Sequence, residues 1–205
     1  MAQPEGDTGG GQRLDPASPA RGLGGDQPAA AGPRHAGGHA AWRPDLILDS
    51  CSVRAKRGGD LTGPNPTDRG KRGTKYHLAT TGDGVPVACA ATAANVNDTV
   101  LFERLFLTAF AVLARIRTVF ADKGYDAEDS RQICRDFGAE PRLHKRGRPR
   151  GSGLGKRRWP VERSHAWVLE NKRLALRYDR LGVIIQSLLQ AACLFLVAGR
   201  LAREL

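Results

Sequence analysis

At 205 residues the chain is long enough for one domain with a real core plus some tail. Lys and Arg number 32 against 21 Asp and Glu, a formal net charge of +11 that points to a polyanionic partner, most often nucleic acid. Cys51, Cys89, Cys134 and Cys193 lie far apart with no CxxC pair, which argues against a zinc ribbon and a disulfide framework and favours a reducing, cytoplasmic setting.

Residues 1–41 contain no Phe, Trp or Tyr and are dominated by Gly, Pro and Ala. Such a stretch buries too little apolar surface to offset its ordering entropy, so it reads as disordered, with a domain over 42–205. It also lacks the apolar run of a signal peptide. Asp45 to Asp49 (DLILD), with the residues after it, reads as a strand that places Asp49 at its C-terminal end. Lys75 to Thr81 and Val85 to Ala91 are two more strands, joined by the hairpin turn Gly82-Asp83-Gly84. Asn97-Asp98 offers an N-cap for a helix through Leu101, Leu105, Phe106, Ala109 and Val112.

Arg117 to Ala121 is a short apolar strand leading into Asp122. Asp126 opens a helix to about Phe137, closed by Gly138, and Glu140 to His144 forms a short last strand. A basic Gly-rich loop spans Lys145 to Lys156. Two helices follow, over roughly Pro160–Leu176 with Pro160 in the first turn, and from about Leu181 onward. The stretch Leu181–Leu201 is apolar enough to suggest a membrane span, but Gln186, Ser187, Gln190 and Gly199 interrupt it and favour a buried helix. Strands in a hairpin, then alternating with helices, give a mixed α/β domain.

Asp49 and Asp122 both sit at strand ends, where ligand sites of α/β sheets gather, and Glu162 lies early in a helix. Three carboxylates brought together repel one another, and divalent cations resolve that repulsion. Mg²⁺ suits hard oxygen ligands, and a pair of such ions can activate a nucleophile and stabilise a leaving oxygen in phosphoryl transfer. The bland alternatives are turn or capping roles for the aspartates and a helix-surface ion pair of Glu162 with Arg163.

The words DSCSVRAKRGG (49–59), RGKRGTKYHLATTGDGVPV (69–87), ANVND (94–98), ADKGYDA (121–127) and RWPVERSHAWVLENKRLALRYD (158–179) occur in this order from about Leu46 to the C-terminus. Together they resemble the bacterial insertion-sequence DDE transposases, in the large group numbered four and five. The resemblance implies a ribonuclease-H-like fold, a mixed sheet flanked by helices. It implies that Asp49, Asp122 and Glu162 are the catalytic acids and the ligands of two Mg²⁺ ions, or of Mn²⁺ in their place. Arg158, four positions before Glu162, fits the family's signature. The implied reaction is cleavage at transposon ends followed by attack of the freed 3′-hydroxyl on target DNA. That in-line displacement uses no protein nucleophile, so no Ser, Cys or His triad is expected.

Nine Lys or Arg residues lie from Arg142 to Arg163 against one acid, Glu162. They include Arg146, Arg148, Lys156, Arg157, Arg158 and Arg163. A second cluster, Arg54, Lys56, Arg57, Arg69, Lys71, Arg72 and Lys75, follows Asp49. Both flank a proposed catalytic acid and read as contacts to double-stranded DNA, at transposon ends and target. Arg146-Gly147-Arg148-Pro149 has the look of a minor-groove hook, while GSGLGK (151–156) lacks the glycine spacing and the Ser or Thr of a nucleoside triphosphate loop. His77 and Trp167 read as packed residues, Tyr125 as packing beneath the site, and Arg173 and Arg177 as either DNA-facing or solvated.

Complete members of the family carry an N-terminal helical region that recognises element ends. Its place is taken here by the Gly/Pro-rich tract, so the chain reads as a second-frame or truncated product. Bringing two DNA ends together implies a homo-oligomer on DNA, at the nucleoid and away from membranes. Two other readings stay open: a metal-dependent nuclease of the same fold without strand transfer, and an inactive basic DNA-binding remnant.

Overall fold

The computed structural model describes residues 42–145 and 154–203. The expectations for residues 1–41 and for the Arg146–Pro149 hook lie outside the described residues. β1 (Leu46–Arg54), β2 (Gly63–Pro64), β3 (Arg72–Thr81) and β4 (Pro86–Ala93) precede α1 (Thr99–Leu113). β5 (Thr118–Ala121), α2 (Glu128–Asp136) and β6 (Glu140–Leu143) follow, then α3 (Leu154–Leu169), α4 (Lys172–Ala175) and α5 (Gly182–Leu201).

The strands form one six-stranded mixed sheet in the order β2-β3-β1-β5-β6, with β4 also pairing to β3. β4, β3 and β1 are antiparallel, whereas β1, β5 and β6 run parallel. This antiparallel meander extended by parallel strands is the ribonuclease-H-like arrangement that the resemblance implies. β1 is central and covered on both faces, which explains its unbroken apolar run. Strand side chains alternate between faces. Leu46 and Leu48 enter a core with Leu101, Phe102, Leu105 and Phe106 of α1. Ile47 enters the opposite core with Val161 and Val168 of α3 and Ile185 and Leu189 of α5.

The β3–β4 turn fixes α3. Gly84 has φ +91°, and a β-carbon there would press on Pro160 O at 3.1 Å and Ser164 Oγ at 3.3 Å. Only glycine meets both demands. Ser164 Oγ donates to Gly84 O at 2.7 Å, and Arg163 Nη2 donates to Asp83 O at 2.8 Å. α2 ends as expected, with Gly138 at φ +69° and Ala139 N–H returning to Cys134 O at 2.8 Å.

Three expectations change. β1 continues five residues past Asp49, because β3 goes on pairing with it down to the Arg54–Gly73 pair after β5 has ended at Ala121. α3 starts at Leu154, so Pro160 lies inside the helix, and it stops at Leu169 with Asn171 preceding the short α4. α5 is buried along one face only. It is long and apolar enough to cross a membrane by length and composition alone. In the fold it packs Ile185, Leu189, Ala192 and Cys193 inward, while Val183, Leu194 and Phe195 stay exposed. Gln186 accepts from Ala91 N–H at 3.0 Å and donates to Cys89 O at 3.4 Å. Its amide thereby occupies the free edge of β4, which would otherwise present unpaired backbone groups.

Candidate active site

Asp49 projects from β1 toward α3 at the point where β5 ends. The parallel register pairs Leu48 with Ala121, so Asp49 and Asp122 occupy the next, neighbouring positions. Asp122 caps a single 3-10 turn at Lys123–Tyr125, its Oδ1 accepting Gly124 N–H at 2.8 Å. Glu162 stands exposed on α3, one turn beyond Arg158. Asp49 is 8% exposed. Burial pushes its carboxyl up to about 6, with Asp122 and Glu162 adding to the rise and Arg158 opposing it. The three acids therefore share one electrostatic neighbourhood. Among the described residues no three His, Cys, Asp or Glu side chains stand close enough together to hold a metal ion.

Among the described residues the cation beside Asp49 is Arg158, whose Nη2 donates to Asp49 Oδ1 at 2.7 Å. Arg158 is thus held against the carboxylate inside the site, not on an open DNA-facing surface as expected. A helical turn places it on the same side of α3 as Glu162. His165 lies below, buried, its Nδ1 3.2 Å from Cys51 Sγ. Burial holds its imidazole down to about 4 and the Cys51 thiol up to about 12, so both are neutral packing groups.

The other basic candidates divide. Lys56 and Arg57 are exposed with their charges 5.9 Å from the Tyr178 ring, and Lys71, Arg72 and Arg157 are exposed. Arg54 is exposed but paired with Asp68 at 2.6 Å. Arg163 lies between two indoles, 4.6 Å from Trp159 and 4.8 Å from Trp167, which leaves Trp167 half-buried as its stacking partner. Lys75 is turned inward, its Nζ 2.8 Å from Asp98 Oδ1. It is a half-buried counter-charge in this fold, because its strand position faces the residue preceding α1. Arg146 and Arg148 lie outside the described residues, and Lys156 falls in the first turn of α3.

Arg177 departs furthest from the expectation. It lies beyond α4, fully buried, and donates to Thr74 Oγ1 at 2.6 Å and to the carbonyls of Asp179 and Arg180 at 2.8 and 3.1 Å. Arg173 is exposed and pairs with Asp179 at 2.7 Å.

A buried layer lies beneath the acids, with His77 and Tyr125 packed there as expected and Asp98 added to them unexpectedly. Asp98, expected only as a helix cap, makes no side-chain cap bond. His77 is fully buried, with Nδ1 3.1 Å from the Tyr125 hydroxyl and Nε2 2.9 Å from Thr92 Oγ1. Burial lowers the His77 imidazole to about 4 and raises the Tyr125 phenol, so each is neutral. The one sequence signal for Asp98 was the word ANVND itself, whose acid has no periodic partner.

The model of the family described as "Transposase DDE domain" matches residues 43–196. A transposase assigned to insertion sequence element IS402 of Burkholderia cepacia is 40% identical over 171 residues, covering 78% of this chain and 81% of that protein. Among solved structures, the HTLV-2 integrase catalytic core domain in complex with magnesium aligns with a TM-score of 0.44 at 14% identity, over 72% of this chain and 85% of that one. A chain of the simian T-cell lymphotropic virus intasome aligns with a TM-score of 0.42 at 15% identity, over 73% of this chain and 46% of that one. With the family model covering the whole sheet and the glutamate-bearing helix, this chain belongs to the transposase DDE domain family.

Proposed function

We propose that the chain is a DNA transposase that cleaves phosphodiester bonds at element ends and joins the freed 3′-hydroxyl to target DNA, using Asp49, Asp122 and Glu162 with divalent cations. The observation that carries this reading is the buried carboxylate of Asp49 in the field of two further acids, with Arg158 as its direct cationic partner among the described residues. An excess of negative charge in a shielded place, built from hard oxygen donors, fits Mg²⁺ or Mn²⁺. Asp49 and Asp122 would hold the ion between neighbouring strand positions, and Glu162 would complete the set from α3. Bound cations supply a water of lowered pKa and neutralise the developing charge on the phosphate. The chain's own residues orient these groups: β1 and β5 fix the aspartates, and the β3–β4 turn fixes α3.

Exposed Lys56, Arg57, Lys71, Arg72 and Arg157 would bind the phosphate backbone of double-stranded DNA. Two ends must be held together for joining, which calls for a homo-oligomer on DNA.

The test is a nicking assay on supercoiled plasmid with Mg²⁺ or Mn²⁺, followed by strand transfer of a pre-cut end bearing a 3′-hydroxyl. Nicking should require the metal and disappear with chelator, and joined products should appear with the pre-cut end. Metal-dependent nicking without joined product would leave only the nuclease reading. DNA binding with no nicking in any divalent metal would leave the inactive remnant.

A further inference from the structure

We propose that Asp98, held by Lys75, is a positioning residue that locks Asp49 and Asp122 into register from the face of the sheet opposite α3. This rests on the reading of those two acids as the reacting carboxylates. Asp98 immediately precedes α1 with helical backbone angles, φ −62° and ψ −30°. An aspartate there ordinarily bonds to the exposed N–H groups of the first turn. Here Asn97 takes part of that role, its Oδ1 accepting Thr99 N–H at 3.2 Å, and the Asp98 carboxylate turns into the protein.

Lys75, Ser50 and Gly124 meet it there, with the neutral His77 imidazole 3.9 Å from Oδ1. Lys75 Nζ donates to Asp98 Oδ1 at 2.8 Å and to Val96 O at 2.8 Å, so the ammonium is fixed by two bonds. Ser50 Oγ donates to Asp98 Oδ2 at 3.2 Å. Ser50 follows Asp49 in β1, and successive strand residues face opposite sides. A hydrogen bond on Ser50 from the α1 side thus anchors the backbone from which Asp49 projects on the α3 side. The third group is Gly124. A β-carbon at this position would overlap Asp98 Oδ2 and stand 3.0 Å from Asp122 Oδ1. The bare glycine lets the Asp98 carboxylate abut the turn whose N–H holds the Asp122 side chain. One carboxylate therefore touches β1, which carries Asp49, and the turn after β5 that Asp122 caps.

Its own charge is neutralised by Lys75, with both side chains largely shielded at 15% and 12% exposure. That pairing keeps Asp98 from acting as a further cation ligand and makes it a scaffold. Residues that orient ligands in this way commonly govern metal affinity nearly as strongly as the ligands themselves.

The test compares Asp98→Asn, Ser50→Ala and Lys75→Met in the full chain with Mn²⁺ and plasmid DNA. Asp98→Asn is expected to raise the Mn²⁺ concentration for half-maximal nicking by about tenfold or more, and Ser50→Ala, which removes only one hydroxyl, to raise it in the same direction. Lys75→Met is expected to leave the salt dependence of DNA affinity unchanged, whereas a phosphate contact would reduce the slope by about one. The amide resonance of Gly124 should shift in Asp98→Asn whether or not the protein cuts DNA. Absence of nicking by the unaltered chain would sink the transposase reading, while the Gly124 resonance would still decide the placement of Asp98. An unmoved Gly124 amide, or an unmoved Mn²⁺ midpoint in both Asp98→Asn and Ser50→Ala, would overturn the proposal.

Discussion

Asp49→Asn is expected to abolish metal-dependent nicking and, at pH 8, to make the folded chain about 3 kcal/mol more stable. The carboxyl titrates near 6 in the fold against 3.8 as its ordinary value, with burial the largest cause. The folded state thus holds a proton that the unfolded chain releases. Stability from this group is fully present below about 3.8, declines as pH rises, and is gone above about 6. Asparagine mimics the protonated, neutral form and can still accept from Arg158. Its advantage should therefore vanish near pH 4 and reach its full size above pH 7. Urea denaturation of both proteins at pH 4 and pH 8 measures it. Equal stability at pH 8 would show that Arg158 already compensates the buried charge.

The second large effect concerns Arg177→Met, expected to cost about 3–5 kcal/mol in folding free energy. The guanidinium is fully buried and serves Thr74 Oγ1 and the backbone carbonyls of Asp179 and Arg180. Methionine keeps the apolar stem and leaves these acceptors without donors, each at a desolvation cost. Arg177 N–H also donates to Arg54 O at 3.0 Å, and Lys56 N–H donates to Arg177 O at 3.1 Å. The segment after α4 is thereby tied to the end of β1. Arg177→Lys should recover little, because one ammonium cannot reproduce the planar fork. A urea midpoint for Arg177→Met close to that of the unaltered chain would show that these acceptors find water instead.

Much of the fold could be read from local signals. Alternation in β3 and β4, the glycine turn between them, the apolar stripe of α1 and the Gly138 stop each depend on residues within a few positions. Pro160 misled because proline is favoured in a first turn, while α3 had already begun at Leu154. Asp122 directly follows the end of β5 as read, whereas Asp49 lies inside β1 and only its short word marks it. The polar contacts of Asp98, Lys75 and Arg177 were not legible. Asp98 and Lys75 meet across 23 positions, and Arg177 reaches Thr74 across 103. Sheet register creates those contacts, and no local period encodes them. For the same reason the sequence counted Lys75, Arg158 and Arg177 with the solvent-facing cations, when the fold uses all three as internal counter-charges or donors.

The bond between Arg158 and Asp49 spans 109 positions. Contacts of such separation close late, since the entropy of a long loop must be overcome before they form. During synthesis from the N-terminus, the sheet with both aspartates emerges well before α3. A nascent chain therefore holds two of the proposed acids without the third, and without the guanidinium that steadies the first. Under the proposed chemistry, a chain arrested before α3 would hold DNA-facing strands without a complete set of acids.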